Sequence, residues 1–325
     1  MSVLVTGGAG YIGSHMVLRL LSEGQAVTVL DNLSTGQRRL VPAGAHFVEG
    51  DIGDQSLVER VLKENAIDAV IHFAGSIVVP DSVAEPLSYY ENNTVKSRAL
   101  IESCVRRGVA RFIFSSTAAV YGSPERVPVR EDAPLLPINP YGRSKLMTEM
   151  MLEDAAKAHG FAYTALRYFN VAGADPEGRS GQASPRATHL IKIACEVATG
   201  KREKMDIFGT DYPTPDGTCI RDYIHVSDLV EAHIDALNHL RAGGASGVYN
   251  CGYGRGFSVR EVLAALARVL KREIPATAAP RRAGDPAMLV AGSDKIRATL
   301  GWKPRYDDLD FIVRTALDWE RALKS

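Results

Sequence analysis

Short apolar runs and amphipathic stretches alternate along this chain from its first residues. The run Val3-Leu4-Val5 is apolar throughout and leads into a cluster of glycines, which is typical of a strand buried on both faces. Residues 14–21 then place apolar side chains at helical spacing and stop before Gly24, a residue type common just after a helix. A second apolar run, Ala26 to Leu30, follows. The pattern predicts a strand, a tight turn, a helix and a second strand.

The alternation continues through the first half of the chain. Further strands are predicted at 46–49, 69–73, 111–115 and 163–167, and helices at 57–62, 92–107 and 141–159. Short strands separated by helices indicate βαβ units, and therefore a parallel sheet with helices on both faces. The predicted fold is α/β, with a doubly wound parallel sheet of the Rossmann type and a smaller C-terminal α/β substrate-binding domain. We expect the domains to span 1–170 and 171–325, with a segment near 214–245 returning to the first.

The glycines after the first strand are suited to a dinucleotide. Gly7, Gly10 and Gly13 have GxxGxxG spacing, and they lie where the backbone could approach a pyrophosphate at a helix N-terminus. Asp31 ends the second strand, where an acid takes the ribose hydroxyls of NAD and repels the 2′-phosphate of NADP. A simple turn aspartate is the alternative. The order of strand, glycines, helix, strand and acid favours NAD as the cofactor.

Three other strand ends carry candidate binding groups, because ligands of such sheets lie beyond the carboxyl ends of the strands. Asp51-Ile52 could hold adenine, although a plain turn is an equal alternative. Phe73-Ala74-Gly75 has small residues that let backbone approach a cofactor. Ser115-Ser116-Thr117 places hydroxyl groups at the same edge.

The long helix after these hydroxyls opens with a tyrosine and a lysine on one face. Tyr141 and Lys145 lie four residues apart, just after Asn139-Pro140, so both can reach one ligand. A free phenol is a poor base at neutral pH, but a neighbouring ammonium favours the phenolate and lowers the pKa. We therefore expect Lys145 to lower the pKa of Tyr141 and so prepare it as a general base.

Composition and charge narrow the function further. The chain has 325 residues, and its 38 basic and 38 acidic side chains cancel, so net charge indicates neither a nucleic-acid partner nor an anionic membrane. No apolar run is long enough to span a bilayer. The four cysteines lack CxxC spacing and indicate free thiols in a reducing compartment, so a cytoplasmic location is expected. The histidines lack metal-site spacing, so no metal is expected.

Motifs spread over nearly the whole chain resemble a known family. They are the glycine fingerprint, the set Thr117, Tyr141 and Lys145, and the phrases at 168–170, 207–209, 211–218, 221–226 and 280–285. Together they resemble the extended short-chain dehydrogenase/reductase family and, within it, the enzymes that epimerise UDP-sugars at C4. The resemblance runs from Val3 to about Trp319, and its most specific part is Ile207 to Val226.

The resemblance implies an NAD-dependent isomerase with tightly bound cofactor. It would interconvert UDP-galactose and UDP-glucose through a transient 4-keto-sugar, with Tyr141 as the base, Lys145 on the nicotinamide ribose and Thr117 at the sugar hydroxyl. The implied cofactor-binding residues are Gly7, Gly10, Tyr11, Ile12, Gly13, Asp31, Asn32, Asp51, Ile52, Phe73, Ala74, Gly75, Ser115, Tyr141, Lys145 and Tyr168. The implied UDP-sugar site contains Thr117, Phe169, Asn170, His189, Leu190, Phe208, Arg221, Tyr223, Arg282 and Asp285. From the residues alone, ordinary ion pairs would be preferred for Arg221 and Arg282.

The chain departs from the family pattern at three positions. The stretch Ser76-Ile77-Val78 stands where the family often has a lysine near the cofactor phosphates, and His189 stands where some members have asparagine. Leu289 occupies a pocket position that is tyrosine in some members and a small residue in others. Because leucine leaves more room than tyrosine for an N-acetyl group, UDP-N-acetylhexosamines are candidate second substrates. An epimerase that acts on UDP-pentoses is a further alternative.

Other functions compatible with this fold are open to test. An NAD-dependent sugar-nucleotide dehydrogenase or reductase is the main alternative, and it would consume cofactor. A 4,6-dehydratase is disfavoured because Ala118-Ala119, and not an acid pair, follows Thr117. An NAD-sensing protein would not need Tyr141 and Lys145. The family forms dimers through helices like 92–107 and 141–159, which implies a homodimer, although the same apolar faces could simply pack on the sheet.

Overall fold

The computed structural model of the chain describes residues 1–184, 188–282 and 285–323. The strands are β1 Ser2–Thr6, β2 Ala26–Asp31, β3 His46–Glu49, β4 Ala69–His72, β5 Arg111–Thr117, β6 Ala162–Tyr168, β7 Asn170–Ala172, β8 Met205–Phe208, β9 Ile220–His225, β10 Gly247–Cys251, β11 Gly256–Ser258, β12 Ala276–Ala279 and β13 Met288–Leu289. The α-helices are α1 Tyr11–Ser22, α2 Gln55–Glu64, α3 Val79–Ala84, α4 Pro86–Tyr90, α5 Lys96–Arg106, α6 Pro140–His159, α7 Leu190–Ala198, α8 Val226–Arg241, α9 Val259–Leu270, α10 Asp294–Leu300 and α11 Leu309–Ala322. Short 3₁₀ turns lie at Arg38–Leu40 and Ala118–Tyr121, and a π turn lies at Glu91–Val95.

Seven of these strands form one parallel sheet. Its order is β10-β6-β5-β4-β1-β2-β3, and each of its pairings is parallel. The order reverses between β1 and β4, which is where doubly wound sheets bind their ligands. No helix among the described residues is long and apolar enough to cross a bilayer.

Alternation along the strands explains why helices cover both faces of the sheet. In β1, Val3 and Val5 pack with Leu20 of α1 in one hydrophobic cluster, whereas Leu4 packs with Leu100 of α5 in another. Successive side chains point to opposite faces, so a strand with no polar face must be buried on both. The predicted doubly wound α/β fold is confirmed.

The long helix α6 begins and ends where its sequence requires. Asn139 caps it by accepting a hydrogen bond from the Gly142 amide at 2.8 Å, and Pro140 fills its first position. Gly160 ends it with a φ of 71°, which only glycine adopts without strain. The Asn139 cap fixes the start of α6 at the carboxyl edge of β5, and the helix packs on β5 and β6.

A smaller α/β unit follows the large sheet. Its sheet has the order β11-β9-β13, with β7 also paired to β9, and α7, α9 and α11 pack against one another in a common core. This unit agrees with the smaller C-terminal α/β domain expected from the sequence. The division of the chain between residues 170 and 171 stays a prediction. Because α8 packs on β5 and β6 and β10 joins the large sheet, we propose that the returning segment extends to Cys251.

Two local features differ from the sequence pattern. The helix predicted at 92–107 is a π turn followed by α5, and within the π turn the buried Asn93 side chain donates hydrogen bonds to Ser76 and Ser144. The stretch at 175–186 has a Gly-, Ser- and Pro-rich composition that is typical of a flexible segment, but its described part is anchored by the buried residues Asp175, Ser180 and Gln182, whereas residues 176–179 are exposed. Its last residues, 185 and 186, lie outside the described residues.

Candidate active site

The glycine turn is packed so tightly that larger residues would not fit. A Cβ on Gly7 would lie 2.6 Å from the backbone nitrogen of Ala74, and one on Gly13 would lie 2.2 Å from the carbonyl oxygen of Gly7. Gly10 is the N-cap of α1 and offers no side-chain hydrogen bond to the first turn. The first-turn N–H groups are therefore left for an anionic ligand, and the cradle fits the pyrophosphate of a dinucleotide.

Asp31 lies beside this turn at the end of β2. Its carboxylate accepts hydrogen bonds from the amides of Ala9, at 2.9 Å, and Leu33, at 2.8 Å. Burial raises the pKa of Asp31, although these amide bonds oppose the shift. The acid is thus fixed at the position where ribose hydroxyls are expected.

Asp51 joins the same edge through contacts that the sequence did not reveal. It accepts hydrogen bonds from Asn32 at 3.1 Å and from Lys96 at 2.6 Å. Burial alone would raise the pKa of Asp51, but the bonds from Lys96, Gly53 and Asn32 leave it below its usual value. Lys96 was not predicted, because a lysine within an amphipathic helix gives no sign of its partner.

The strand end Phe73-Ala74-Gly75 is held by Asn93, which was also not predicted. The Asn93 Oδ1 accepts from the Ser76 amide at 2.7 Å, and its Nδ2 donates to the Ser76 carbonyl at 2.9 Å and to Ser144 Oγ at 3.1 Å. One buried amide therefore joins the end of β4 to the first turns of α6. An asparagine within a helical pattern was the only signal in the sequence.

Tyr141, Lys145 and Thr117 meet at the carboxyl end of β5. Lys145 is buried, and its Nζ donates to the Ser115 carbonyl at 2.9 Å. The phenol of Tyr141 is hydrogen-bonded to Thr117, whose Oγ1 also accepts from the Ala119 amide at 3.1 Å. The predicted catalytic set is therefore one cluster, at the same sheet edge as the glycine turn.

The structure corrects one electrostatic prediction about this cluster. Burial raises the pKa of Tyr141, and only the hydrogen bond with Thr117 lowers it in part. Lys145 is not among the groups that shift the pKa of Tyr141. Its ammonium donates to the Ser115 carbonyl, and burial lowers the pKa of Lys145 to about 8. The prediction that Lys145 lowers the pKa of Tyr141 is wrong for the protein itself.

Two aromatic residues lie at the end of β6, Tyr168 as its last residue and Phe169 directly after it. Tyr168 is buried and its hydroxyl is hydrogen-bonded to His233 Nε2. Phe169 packs in a cluster with Ala118 and Leu289. Phe169 therefore lies near both the end of β5 and the pocket position identified in β13.

A cavity brings together four of the predicted substrate residues. Asn170, His189, Leu190 and Tyr223 line it together with Tyr11. Asn170 and Tyr223 are also paired in register between β7 and β9. The Tyr11 hydroxyl donates to the Gly173 carbonyl at 2.6 Å, so the glycine turn is joined directly to the wall of this cavity. Burial lowers the pKa of His189.

The remaining predicted substrate residues form two further contacts. Arg221 is buried, and its guanidinium lies 3.7 Å from the Asp285 carboxylate. The Arg282 guanidinium lies over the Phe208 ring, 3.8 Å from its centroid. The contacts of the described residues do not bring this second pair to Tyr141. Residues 283 and 284 of the 280–285 motif lie outside the described residues.

Within the described ranges, no group of three or more His, Cys, Asp or Glu side chains could hold a metal ion. The site consists of a dinucleotide cradle, a buried Tyr-Lys-Thr cluster and a mainly apolar cavity that adjoins the glycine turn through Tyr11. Such an arrangement can bind a nucleotide and move a proton at a hydroxyl group held between them.

Comparison with known proteins agrees with this arrangement. Residues 3–252 match the NAD dependent epimerase/dehydratase family. The UDP-glucose 4-epimerase of Azospirillum brasilense is 62% identical over 322 residues, which cover 99% of this chain and 92% of that protein.

Two solved structures are similar over nearly their whole length. The UDP-glucose 4-epimerase of Bifidobacterium longum, in complex with NAD+ and UDP, has a TM-score of 0.94 and 38% identity, covering 99% of both chains. The UDP-Glc/GlcNAc 4-epimerase of Campylobacter jejuni has a TM-score of 0.86 and 49% identity, also covering 99% of both chains. These similarities confirm the predicted resemblance and the predicted dependence on NAD. The chain belongs to the NAD-dependent epimerase/dehydratase family.

Proposed function

We propose that this chain interconverts UDP-galactose and UDP-glucose as an NAD-dependent 4-epimerase. The observation that carries the proposal is the buried cluster of Tyr141, Lys145 and Thr117 at the sheet edge that also holds the glycine turn. The proposal is supported by the family to which the chain belongs and by its similarity to relatives named UDP-glucose 4-epimerase.

The residues fit NAD on three grounds already described. The turn admits only glycine at positions 7 and 13, the first turn of α1 is uncapped, and Asp31 is fixed for ribose hydroxyls. Bound NAD would supply the hydride chemistry at C4 of the sugar, first as acceptor and then as donor. The residues proposed to hold it are Gly7, Gly10, Tyr11, Ile12, Gly13, Asp31, Asn32, Asp51, Ile52, Phe73, Ala74, Gly75, Ser115, Tyr141, Lys145 and Tyr168.

The protein's own part in the chemistry is to move a proton at the sugar O4. Tyr141 Oη takes this proton and later returns it, and Thr117 orients the phenol by the hydrogen bond between them. Lys145, held by the Ser115 carbonyl, supplies an ammonium for the nicotinamide ribose.

The UDP-sugar is proposed to bind where the small unit faces this cluster. The cavity of Asn170, His189, Leu190 and Tyr223 supports this location, together with Phe169 packed near Ala118. Arg221 and Arg282 offer guanidinium donors to a diphosphate. Phe208 is proposed for the uracil and Asp285 for the ribose hydroxyls.

The test is to incubate the purified protein with UDP-galactose and no added cofactor. We expect UDP-glucose to accumulate toward equilibrium without a matching increase in absorbance from reduced nicotinamide. Conversion that requires stoichiometric added NAD and yields a keto or acid product would instead identify a dehydrogenase.

A homodimer is proposed from an exposed apolar face. Val83, Leu87, Val95 and Met150 are 63%, 80%, 48% and 57% exposed, and they lie on α3, α4, the π turn and α6, which contact one another. An apolar face of this kind is typical of an interface. We expect Leu87→Glu to shift the molar mass measured by light scattering from dimer to monomer, while Leu136→Glu, at another exposed position, leaves it unchanged.

A cytoplasmic location is proposed from the thiols. All four cysteines are free, and three of them are buried, as is typical of a protein kept in a reducing compartment. Localisation of the tagged protein by cell fractionation tests this.

A second substrate class is favoured at Leu289. This side chain packs with Phe169 and Ala118 and is paired with Arg221 between β13 and β9, so it lies beside the proposed sugar site. The Campylobacter jejuni relative is named a UDP-Glc/GlcNAc 4-epimerase. We propose that the chain also epimerises UDP-N-acetylglucosamine, and that Leu289→Tyr reduces this activity by at least about tenfold relative to that on UDP-glucose, because a filled pocket excludes the N-acetyl group.

A further inference from the structure

Glu149 continues the row of functional side chains on α6. Tyr141, Lys145 and Glu149 are spaced four residues apart, so they share one face of the helix. Glu149 is 5% exposed, and its partner Arg167 in β6 is 3% exposed. The Arg167 guanidinium donates to both carboxylate oxygens, with distances of 3.0 Å and 2.7 Å. Neither residue was singled out from the sequence.

The same carboxylate also binds the end of β5. Ser116 Oγ donates to Glu149, and Ser116 is paired in register with Arg167 between β5 and β6. Its neighbours in the strand are Ser115, which accepts from Lys145, and Thr117, which bonds Tyr141. The buried pair therefore joins α6 to the strand residues that contact the two catalytic side chains.

The arginine extends this network toward the substrate side. Its Nη1 donates to the Tyr121 hydroxyl at 2.8 Å, and Tyr121 donates to Asn250 at 2.7 Å. Asn250 Nδ2 then donates to the Val129 carbonyl at 2.8 Å. The Val129 amide in turn donates to the carbonyl of Val290, the residue after Leu289. The pair is thus connected to the strand that carries the proposed specificity position.

We propose that Glu149 and Arg167 are positioning residues that hold Tyr141 against Thr117 and thereby set the geometry of proton transfer. The inference rests on the proposed function. A buried ion pair is a poor source of stability, because desolvation offsets most of the Coulombic attraction. Its contacts with three elements at the catalytic edge instead indicate a geometric role.

Two variants that conserve charge test the proposal. Arg167→Lys keeps the positive charge but loses the paired geometry of the guanidinium, and Ser116→Ala removes the link to β5. We expect kcat for UDP-galactose to fall by about tenfold to a hundredfold, because the Tyr141 phenol is misplaced. KM should change by less than about threefold, because the residues that bind the substrate are not altered. The matched control is Arg19→Lys, which alters a similar two-bond contact with Glu231 between α1 and α8.

The second measurement does not depend on activity. The pKa of Tyr141 is followed by NMR of isotope-labelled tyrosine in the holoenzyme, with Tyr141→Phe used for assignment. Since the Thr117 hydrogen bond lowers this pKa, loosening it raises the pKa in both variants, while Arg19→Lys leaves it unchanged. Tyr168, a titratable group that interacts electrostatically with Tyr141, and Lys145, about one helical turn from Tyr141, are present in every sample.

The proposal requires both results. It is overturned if kcat or the pKa of Tyr141 stays at its wild-type value in Arg167→Lys and Ser116→Ala, even when the unfolding temperature falls. If the wild-type protein does not convert UDP-hexoses, the proposed function fails, and the pKa comparison alone then decides whether the pair positions Tyr141.

Discussion

At the carboxyl edge of β5, the ionisation of one phenol is set by its surroundings. Burial raises the pKa of Tyr141, and the Thr117 hydrogen bond counteracts only part of that shift. Lys145 is desolvated nearby, with its pKa lowered to about 8. The protein thus holds the phenol protonated at neutral pH, and further positive charge at the site is needed to favour the phenolate.

Removal of this phenol should abolish most of the activity. Tyr141→Phe keeps the ring but removes the proton acceptor, so we expect kcat to fall by about a hundredfold to ten-thousandfold, the range of general base catalysis. Bound NAD and the unfolding temperature should stay close to wild type. Epimerisation assays and the cofactor absorbance of the purified protein measure these effects.

The matched control is Tyr163→Phe, the same change at a buried tyrosine. Tyr163 lies at the N-terminal end of β6, opposite the carboxyl edge that carries the site. Equal losses of activity in the two variants would contradict a base role for Tyr141.

At the scale of elements, the glycine turn is a tightly packed connection in the site. Gly7 has a φ of 71° and lies against the backbone at Ala74, so the turn joins the ends of β1 and β4 directly. Gly13 in the first helical turn lies against the Gly7 carbonyl. The approach of α1 to the sheet therefore depends on side chains being absent at both positions.

Addition of a single methyl group should test this packing. Gly13→Ala would place Cβ 2.2 Å from the Gly7 carbonyl oxygen, and overpacking of this kind costs about 1–3 kcal/mol. We expect NAD affinity, measured by calorimetry, to fall by roughly fivefold or more, with activity falling in proportion.

Gly44→Ala serves as the control, because its Cβ would meet only Leu21 side-chain atoms at 3.5 Å, an ordinary contact. If Gly13→Ala bound NAD as tightly as this control, the close approach of α1 would not be required for binding.

At the scale of the whole molecule, buried neutral histidines link stability to pH. His72 is fully buried at the end of β4, between Thr6 at 2.7 Å and Ser97 at 2.9 Å. Burial, with a smaller effect from Lys145, lowers its pKa from 6.5 to about 3. His15 and His233 are also buried, with pKa values lowered to about 4.

Acid should therefore destabilise the fold through these residues. Below pH 6.5 the unfolded chain binds a proton at His72, while the folded protein does not until about pH 3. As the pH falls through this range, the free energy of unfolding therefore decreases by about 1.4 kcal/mol per pH unit because of this group. His72→Gln removes that dependence, so the stability advantage of the wild type over this variant should shrink as the pH falls from about 6 to about 4.

Urea unfolding at several pH values measures the difference in the free energy of unfolding between the wild type and His72→Gln. The other titratable groups are the same in both proteins, so their contributions cancel. His46→Gln, the same change at an exposed histidine, is the control. A wild-type advantage over His72→Gln that stayed constant with pH would show that His72 is not held neutral.

Much of the fold and of the site chemistry could be predicted because it depends on neighbours in sequence. The all-apolar strands, the Asn139-Pro140 cap and the helix-ending Gly160 act within a few residues of one another, so the pattern identifies them. Tyr141 and Lys145 share a face because of helical spacing alone. The glycine spacing likewise indicates a dinucleotide, since the turn itself forms the cradle.

Only the tertiary structure decided the contacts between residues that lie far apart in sequence. Lys96 bonds Asp51, Asn93 bonds Ser76, and Glu149 pairs with Arg167 on another element. Each of these side chains is compatible with an ordinary helix or strand, and its role depends on which group the packed sheet brings within hydrogen-bond distance. The pKa of Tyr141 belongs to the same class: sequence spacing identified the neighbouring ammonium, but burial determined the sign of the shift.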